Sequence, residues 1–166
     1  MSVFDEFAAA NERYADSFDA GDLAAPPSRR VAVVSCMDAR LDPQAFLGLG
    51  PGEAHVIRNA GGRVSEDALR SLVISQRLLG TNEVVVIHHT DCGMMSFENE
   101  DLRRKIQTDL GADASGWDFL TFSDLEESVR EDVEILRSSE LIPDDISVTG
   151  AVYEVESGRL REVVRG

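Results

Sequence analysis

Two uninterrupted apolar runs, Val31-Ala32-Val33-Val34 and Val84-Val85-Val86-Ile87, constrain this chain more than any other feature of its sequence. Both are rich in β-branched residues and neither alternates with polar ones, so each reads as a strand buried on both faces. The first strand spans Arg30 to Ser35 and the other Glu83 to His88. Another reads over Ala54 to Arg58, entered through the turn Gly50-Pro51-Gly52, and another over Ile146 to Tyr153. A short last strand, Leu160 to Val164, follows a hairpin-type turn at Gly158. Helical patterns fill the intervals. Ser65 caps a helix that carries Glu66 and Asp67 in its first turn and is closed by Gly80. Its apolar face is Leu69, Leu72, Val73 and Leu79. Roughly Met95 to Leu110 is a second helix, with Phe97, Leu102, Ile106 and Leu110 as its apolar set. Ser123-Asp124-Leu125-Glu126 matches a capping box and opens a third, through about Ser138. Strands separated by helices imply right-handed crossovers. The expected fold is α/β, a mostly parallel central sheet of four to five strands flanked by helices.

Ahead of this core, taken as residues 30–166, the first 24 residues read as an amphipathic helical arm. Phe4, Phe7, Tyr14 and Phe18 fall near one face, and Ala25-Pro26-Pro27-Ser28 ends the arm. Pattern alone leaves open whether it packs on its own domain or across a partner subunit. The stretch Gly111 to Phe119 reads as a loop, with the lone Trp117 as a packing anchor.

The chain has 166 residues, enough for one domain with a proper core, and 43% of them are apolar. No apolar run approaches the roughly 20 residues that span a bilayer. The N-terminus, Met1-Ser2-Val3-Phe4-Asp5-Glu6, carries acids where a signal peptide carries bases, which points to the cytoplasm. In that compartment Cys36 and Cys92, the only cysteines, are expected as thiols rather than a disulfide. With 31 acids against 16 bases the net charge is −15. That disfavours nucleic acid and anionic membranes as partners. It favours solubility, and an adaptation to high salt is a sharper reading of the same number.

The chemistry sits at the ends of the two apolar runs. Cys36-Met37-Asp38-Ala39-Arg40 follows the first and His89-Thr90-Asp91-Cys92 the second. In a parallel sheet the C-terminal ends of all strands lie along one edge, where ligands bind. If the two strands are neighbours, about 4.8 Å apart, Cys36, His89 and Cys92 are able to converge on one ion. Three such ligands with a fourth position left over describe a catalytic zinc site. Iron–sulfur ligation needs more thiolates. A Cys36 nucleophile with His89 as base is the rival without metal, and it leaves Cys92 without a role.

At these residues the chain resembles the β-class carbonic anhydrases, whose signature is Cys-x-Asp-x-Arg followed by His-x-x-Cys. Arg58-Asn59-Ala60-Gly61-Gly62 is similar to the family's loop beside the active site. The resemblance runs from about Val31 to Val152. It implies a zinc enzyme, one ion per chain, interconverting carbon dioxide and bicarbonate. It also implies homodimers that often pair into tetramers, with the leading helix wrapped on the neighbouring subunit. Carried over by position, Cys36, His89 and Cys92 are the zinc ligands, Asp38 and Arg40 the catalytic dyad, and Ala60, Gly61 and Gly62 part of the substrate pocket. Two departures stand out. The chain is short, and it has Pro26 to Arg30 where many members carry a glutamine that helps hold bicarbonate. Zinc hydrolases of carbon disulfide or carbonyl sulfide share the signature and are the alternative within the same chemistry. A silent zinc-binding module is the alternative outside it, and it would not require Asp38 and Arg40.

Charge gives those two residues their expected task. Zinc held by two thiolates and a neutral imidazole has a net charge near zero, so it acidifies water less than a three-histidine site does. Asp38 is expected to orient the zinc-bound hydroxide by accepting its hydrogen bond, with Arg40 holding Asp38 through a charge-assisted pair. Released by Arg40, Asp38 would itself become the fourth zinc ligand, and low pH would favour that closed form. His88 reads as a buried structural histidine, with a proton shuttle as the alternative, and His55 as structural too. Asp91 reads as either a supporting or a surface residue, and Met94 and Met95 as lining or core.

Overall fold

The computed structural model describes residues 2–166. Five strands form one sheet in the order β2-β1-β3-β4-β5. They are β1 (Val31–Cys36), β2 (Ala54–Asn59), β3 (Glu83–His89), β4 (Ser147–Glu154) and β5 (Arg159–Arg165). The first four are parallel and β5 turns back antiparallel to β4. This is the expected sheet. Its chain reverses direction across β1, which has β2 on one side and β3 on the other. That reversal opens a crevice at the strand ends, the usual place for a ligand in such sheets.

Helices α3 (Glu66–Leu79) and α5 (Leu125–Ser138) cover one face. Leu72, Val133 and Leu136 pack there on Ala32, Val34, Val84, Val86 and Val148. Gly150 lets α5 close down on β4, since a Cβ at that position would lie 2.5 Å from Val129 Cγ1. Val33, Ile87 and Ala151 form the opposite face. Its cover is thin, made by Phe46, Leu47 and Tyr153, with the Phe46 and Tyr153 rings stacked 4.3 Å apart.

Ser65 and Gly80 cap α3 as expected. Other boundaries differ. The leading helix α1 spans only Val3–Ala15, and the Ser17 hydroxyl takes the Tyr14 carbonyl just past its end. Polar residues with good turn chemistry thus stop it well before Pro26, where the stop was expected. A short helix α2 (Pro43–Phe46), capped by Asp42 with proline in its first turn, was not anticipated. Helix α4 covers Asn99–Leu110 rather than starting at Met95, because Gly93–Met95 is drawn into a 3₁₀ turn beside Cys92. At α5 the cap is Asp124, whose carboxylate accepts from the Glu127 N–H, so the box expected from Ser123 lies one residue off. Trp117 is corrected too: its ring is 66% exposed, and its backbone carbonyl is the anchor, taking two hydrogen bonds from Arg103.

Candidate metal centre

Cys36 ends β1 and His89 ends β3, and these strands are parallel neighbours. Both residues therefore leave the sheet at one edge. Cys92 returns to them through a tight turn. Asp91 takes φ 53°, Thr90 N–H donates to the Tyr153 carbonyl, and the Thr90 hydroxyl accepts from the Val155 N–H. The ligand atoms of Cys36, His89 and Cys92 lie within 4.8 Å of one another, and all three residues are buried.

The histidine is oriented for metal. Its Nδ1 is 2.7 Å from the Thr90 carbonyl. A carbonyl only accepts, so Nδ1 carries the proton and Nε2 presents a lone pair. That Nε2 is buried and has no hydrogen-bond partner. A buried polar atom left unpaired costs about 1–3 kcal/mol. Two thiols and an unpaired imidazole nitrogen, facing one another, fit a zinc ion.

The sulfurs divide one proton between them. The Cys36 thiol is drawn down to about 4, first by the hydrogen bond from Cys92, against burial, and then by His89 and the backbone N–H groups of Asp38 and Gly61. Cys92 is pushed up, first by its bond to Cys36 and then by burial. Burial opposes protonation of His89, but the Cys36 sulfur and the Thr90 carbonyl outweigh it and raise its pKa.

Asp38 stands at the cluster's rim with its Oδ2 3.7 Å from His89 Nε2. Arg40 grips it three ways, the backbone N–H and Nε on Oδ1 at 2.9 and 3.0 Å and Nη2 on Oδ2 at 2.7 Å. The guanidinium holds the Asp38 carboxyl far below the usual carboxylate range. The same Arg40 reaches Asp91, through Nη1 to Oδ2 at 2.8 Å and Nη2 to the carbonyl at 2.9 Å. Arg58 pins the backbone between them, donating to the carbonyls of Cys36 and Asp38 at 2.9 and 2.8 Å. The sequence reading left Asp91 open and gave Arg58 no task of its own. The Arg-Asn-Ala-Gly-Gly motif was the available signal for Arg58, whereas Asp91 meets Arg40 only because its backbone adopts a left-handed turn.

Ala60–Gly62 forms a 3₁₀ turn at the end of β2. Ala60 is exposed, whereas Gly61 and Gly62 are buried at φ 83° and 67°. A Cβ on Gly62 would lie 2.9 Å from the Cys36 nitrogen, so only glycine fits there. Leu41 and Met94 pack beside the two cysteines, with Phe46, Phe97, Phe122 and Tyr153 around them. His88 is fully buried behind the turn, and His55 Nδ1 pairs with Ser75 Oγ at 2.7 Å.

Fold and site together define a class, an α/β protein with a two-cysteine, one-histidine centre suited to zinc. The family model described as carbonic anhydrase matches residues 31–160. The chain is 45% identical to Beta-carbonic anhydrase 1 of Mycobacterium tuberculosis, over 98% of this chain and 99% of that protein. The crystal structure of a carbonic anhydrase from Streptococcus mutans matches with a TM-score of 0.95 at 52% identity, covering 99% of each chain. A carbon disulfide hydrolase from Acidianus is 39% identical over 82% of this chain and 78% of its own length. The chain belongs to the β-carbonic anhydrase family, and zinc is the cofactor its cysteine–histidine cluster is suited to hold.

Proposed function

We propose that this protein catalyses the reversible hydration of carbon dioxide to bicarbonate, with Cys36, His89 and Cys92 holding one zinc ion per chain and Asp38 and Arg40 as the catalytic pair. The unpaired His89 Nε2, facing two thiols beside an arginine-held carboxylate, carries this reading. When bound, zinc supplies the Lewis acidity that lowers the pKa of water toward neutrality. The chain's residues do the rest. Asp38, kept ionised by Arg40, accepts the hydrogen bond that orients the attacking water. Arg58 fixes the backbone carrying Asp38, so the carboxylate does not drift. Leu41, Met94 and Phe122 give an apolar wall that suits a small uncharged substrate. Ala60, Gly61 and Gly62 are assigned to the substrate side of the site. Release of Asp38 by Arg40 would let its carboxylate take the fourth coordination position and shut the site, most readily at low pH. Spectra of the cobalt-substituted protein that stay constant from about pH 6 to 9 would overturn that closed state.

Stopped-flow hydration of carbon dioxide at about pH 8.5, wild type beside Asp38→Ala, tests the reaction. A loss of about 10²–10⁴-fold in the variant is expected for a group that handles the reacting proton. An inactive wild type holding one zinc per chain would instead support the silent module. Sulfide release from carbon disulfide tests the alternative substrate. The relative bearing that name matches less of this chain than the Mycobacterium carbonic anhydrase does, which favours carbon dioxide.

The working form is proposed to be a homodimer, with tetramers as pairs of dimers. Helix α1 buries none of its residues and exposes Phe4, Phe7 and Tyr14. Such a face is covered by a second copy of the chain. Among the described residues no helix is long and apolar enough to cross a membrane. The cytoplasm is proposed as its location, in keeping with two free thiols.

A further inference from the structure

Behind the metal cluster lies a buried ionic group that the reaction does not touch. Asp132 on α5 is 1% exposed, Arg63 7% and His88 0%. Arg63 Nε donates to both Asp132 oxygens at 3.2 and 3.0 Å, and Nη2 reaches Glu131 at 3.2 Å. Burying a carboxylate and a guanidinium costs several kcal/mol per ion, and replacing such a pair by apolar residues is often neutral or stabilising. Stability alone is therefore a poor account of why it is here.

Its geometry points to the metal site. His88 Nε2 lies 2.9 Å from Asp132 Oδ2 and 3.1 Å from the Gly62 carbonyl. Both partners are acceptors, so Nε2 carries the proton and divides it between them. Nδ1 lies 2.7 Å from Ser128 Oγ, whose hydroxyl also reaches the Leu125 carbonyl at 2.8 Å. The ring is thus tied at both ends, and it also stacks on Phe122 with centroids 5.5 Å apart. On the other side, the turn lies directly against the Cys36 backbone, and the Gly61 N–H is one of the groups that draw the Cys36 thiol down. No bulkier residue can take up slack, because a Cβ on Gly62 would meet the Cys36 nitrogen, the Ile87 carbonyl and the Ser35 backbone within 3.0 Å. Contacts run from α5 through His88 to Gly62, and from Gly61 to Cys36. A hydrogen bond to a metal-bound thiolate draws charge from the sulfur and leaves the metal a stronger acid. In a centre with two thiolates that correction counts.

We propose that Asp132 is a positioning residue of the metal centre: through His88 it fixes the Gly61–Gly62 turn against Cys36, and so sets how much negative charge Cys36 delivers to zinc. This rests on the assignment of Cys36 as a zinc ligand. Ser128 holds the other end of the ring, and Arg63 holds Asp132 in place by meeting both of its oxygens.

Asp132→Asn tests it. An amide offers one acceptor oxygen where the carboxylate serves both Arg63 and His88. Zinc affinity is expected to fall about tenfold, the low end of what removing a direct partner of a metal ligand costs, because Asp132 acts through His88 and the turn. The thiolate-to-cobalt charge-transfer band of the cobalt-substituted variant should shift as well, and the pH midpoint of hydration should rise. Glu131→Gln touches Arg63 without touching His88, and should leave the band and the affinity within about twofold of wild type. A variant with a lower Tm but an unchanged band and affinity would make Asp132 a merely structural residue and overturn the proposal. Should Asp132→Asn fail to fold, nitrogen-15 spectra of the wild-type zinc protein decide. A proton on His88 Nε2 supports the proposal, and its absence there overturns it. A wild type that takes up no zinc would overturn the metal-centre reading itself, and this inference with it.

Discussion

Arg40 grips two carboxylates at once, and its planar fork is what makes that feasible. Nε and Nη2 meet Asp38 while Nη1 and Nη2 meet Asp91. Lysine keeps the charge but offers a single point in place of the fork. Arg40→Lys is therefore expected to retain zinc, measured by metal analysis, while hydration falls at least about tenfold as the bidentate charge-assisted pair is lost. The cysteines give a second prediction. Without metal the pair holds one proton, on Cys92, because Cys36 is ionised down to about 4 and Cys92 is pushed above its ordinary range. Zinc requires both as thiolates, so uptake near pH 8 should release about one proton per ion, measured by calorimetry in buffers of different ionisation enthalpy. Affinity then drops about tenfold per pH unit on acidification, and more steeply once His89, whose pKa is raised, also has to lose a proton. Release of no proton would mean the sulfurs do not share one. That Cys36 and His89 would meet was legible in the sequence, because each closes a strand of one parallel sheet. The Asp38–Arg40 pair was legible from a spacing of two residues. Arg63 and Asp132 were not, since 69 residues separate them and no local pattern marks either.

At the scale of elements, the strands and α3 were read nearly to the residue. Their signals are local: β-branched runs, a serine cap, a closing glycine. The boundaries that moved are those set by tertiary contact or by competing side chains. Helix α4 starts late because the chain after Cys92 must first curl back beside the sulfurs, and α1 stops early where the Ser17 hydroxyl donates to the Tyr14 carbonyl. Helix α2 escaped notice because four residues carry too little periodicity to register. The packing of α5 on β4 supplies the third prediction. Gly150→Ala places a methyl 2.5 Å from Val129 Cγ1 and 3.0 Å from Val133 Cγ2. The helix must move away, costing about 1–3 kcal/mol as overpacking does, seen as a lower urea midpoint with unchanged slope. Since Asp132 rides on the same helix, zinc affinity should weaken in parallel. A fully stable variant would show that α5 has more room than its contacts with β4 indicate.

The whole molecule has one face too apolar for water and a charge that resists association. Phe4 is 74% exposed and Phe7 64%, while the net charge is −15. In the proposed dimer two such chains would attract through the arm and repel through everything else, and salt screens only the repulsion. Added sodium chloride is therefore expected to tighten the dimer and raise Tm, and Tm should climb with protein concentration as it does for any coupled assembly. Sedimentation of Phe4→Ser with Phe7→Ser should give monomers at concentrations where the wild type is paired. Variants that remain paired would place the interface elsewhere.

The strand order has a consequence for how the molecule comes into being. β1 is made first and lies inside the sheet; β2 joins one of its edges, β3 the other, and β4 and β5 extend outward from there. No strand has to be threaded between two already in place, so each newly synthesised segment meets an edge that is waiting for it. Cys36, His89 and Cys92 all precede α5 and β4 in the chain, so they emerge from the ribosome ahead of them. A nascent chain at that stage owns its three ligands but lacks Asp132. It would capture metal loosely, and the arrival of α5 would tighten its hold.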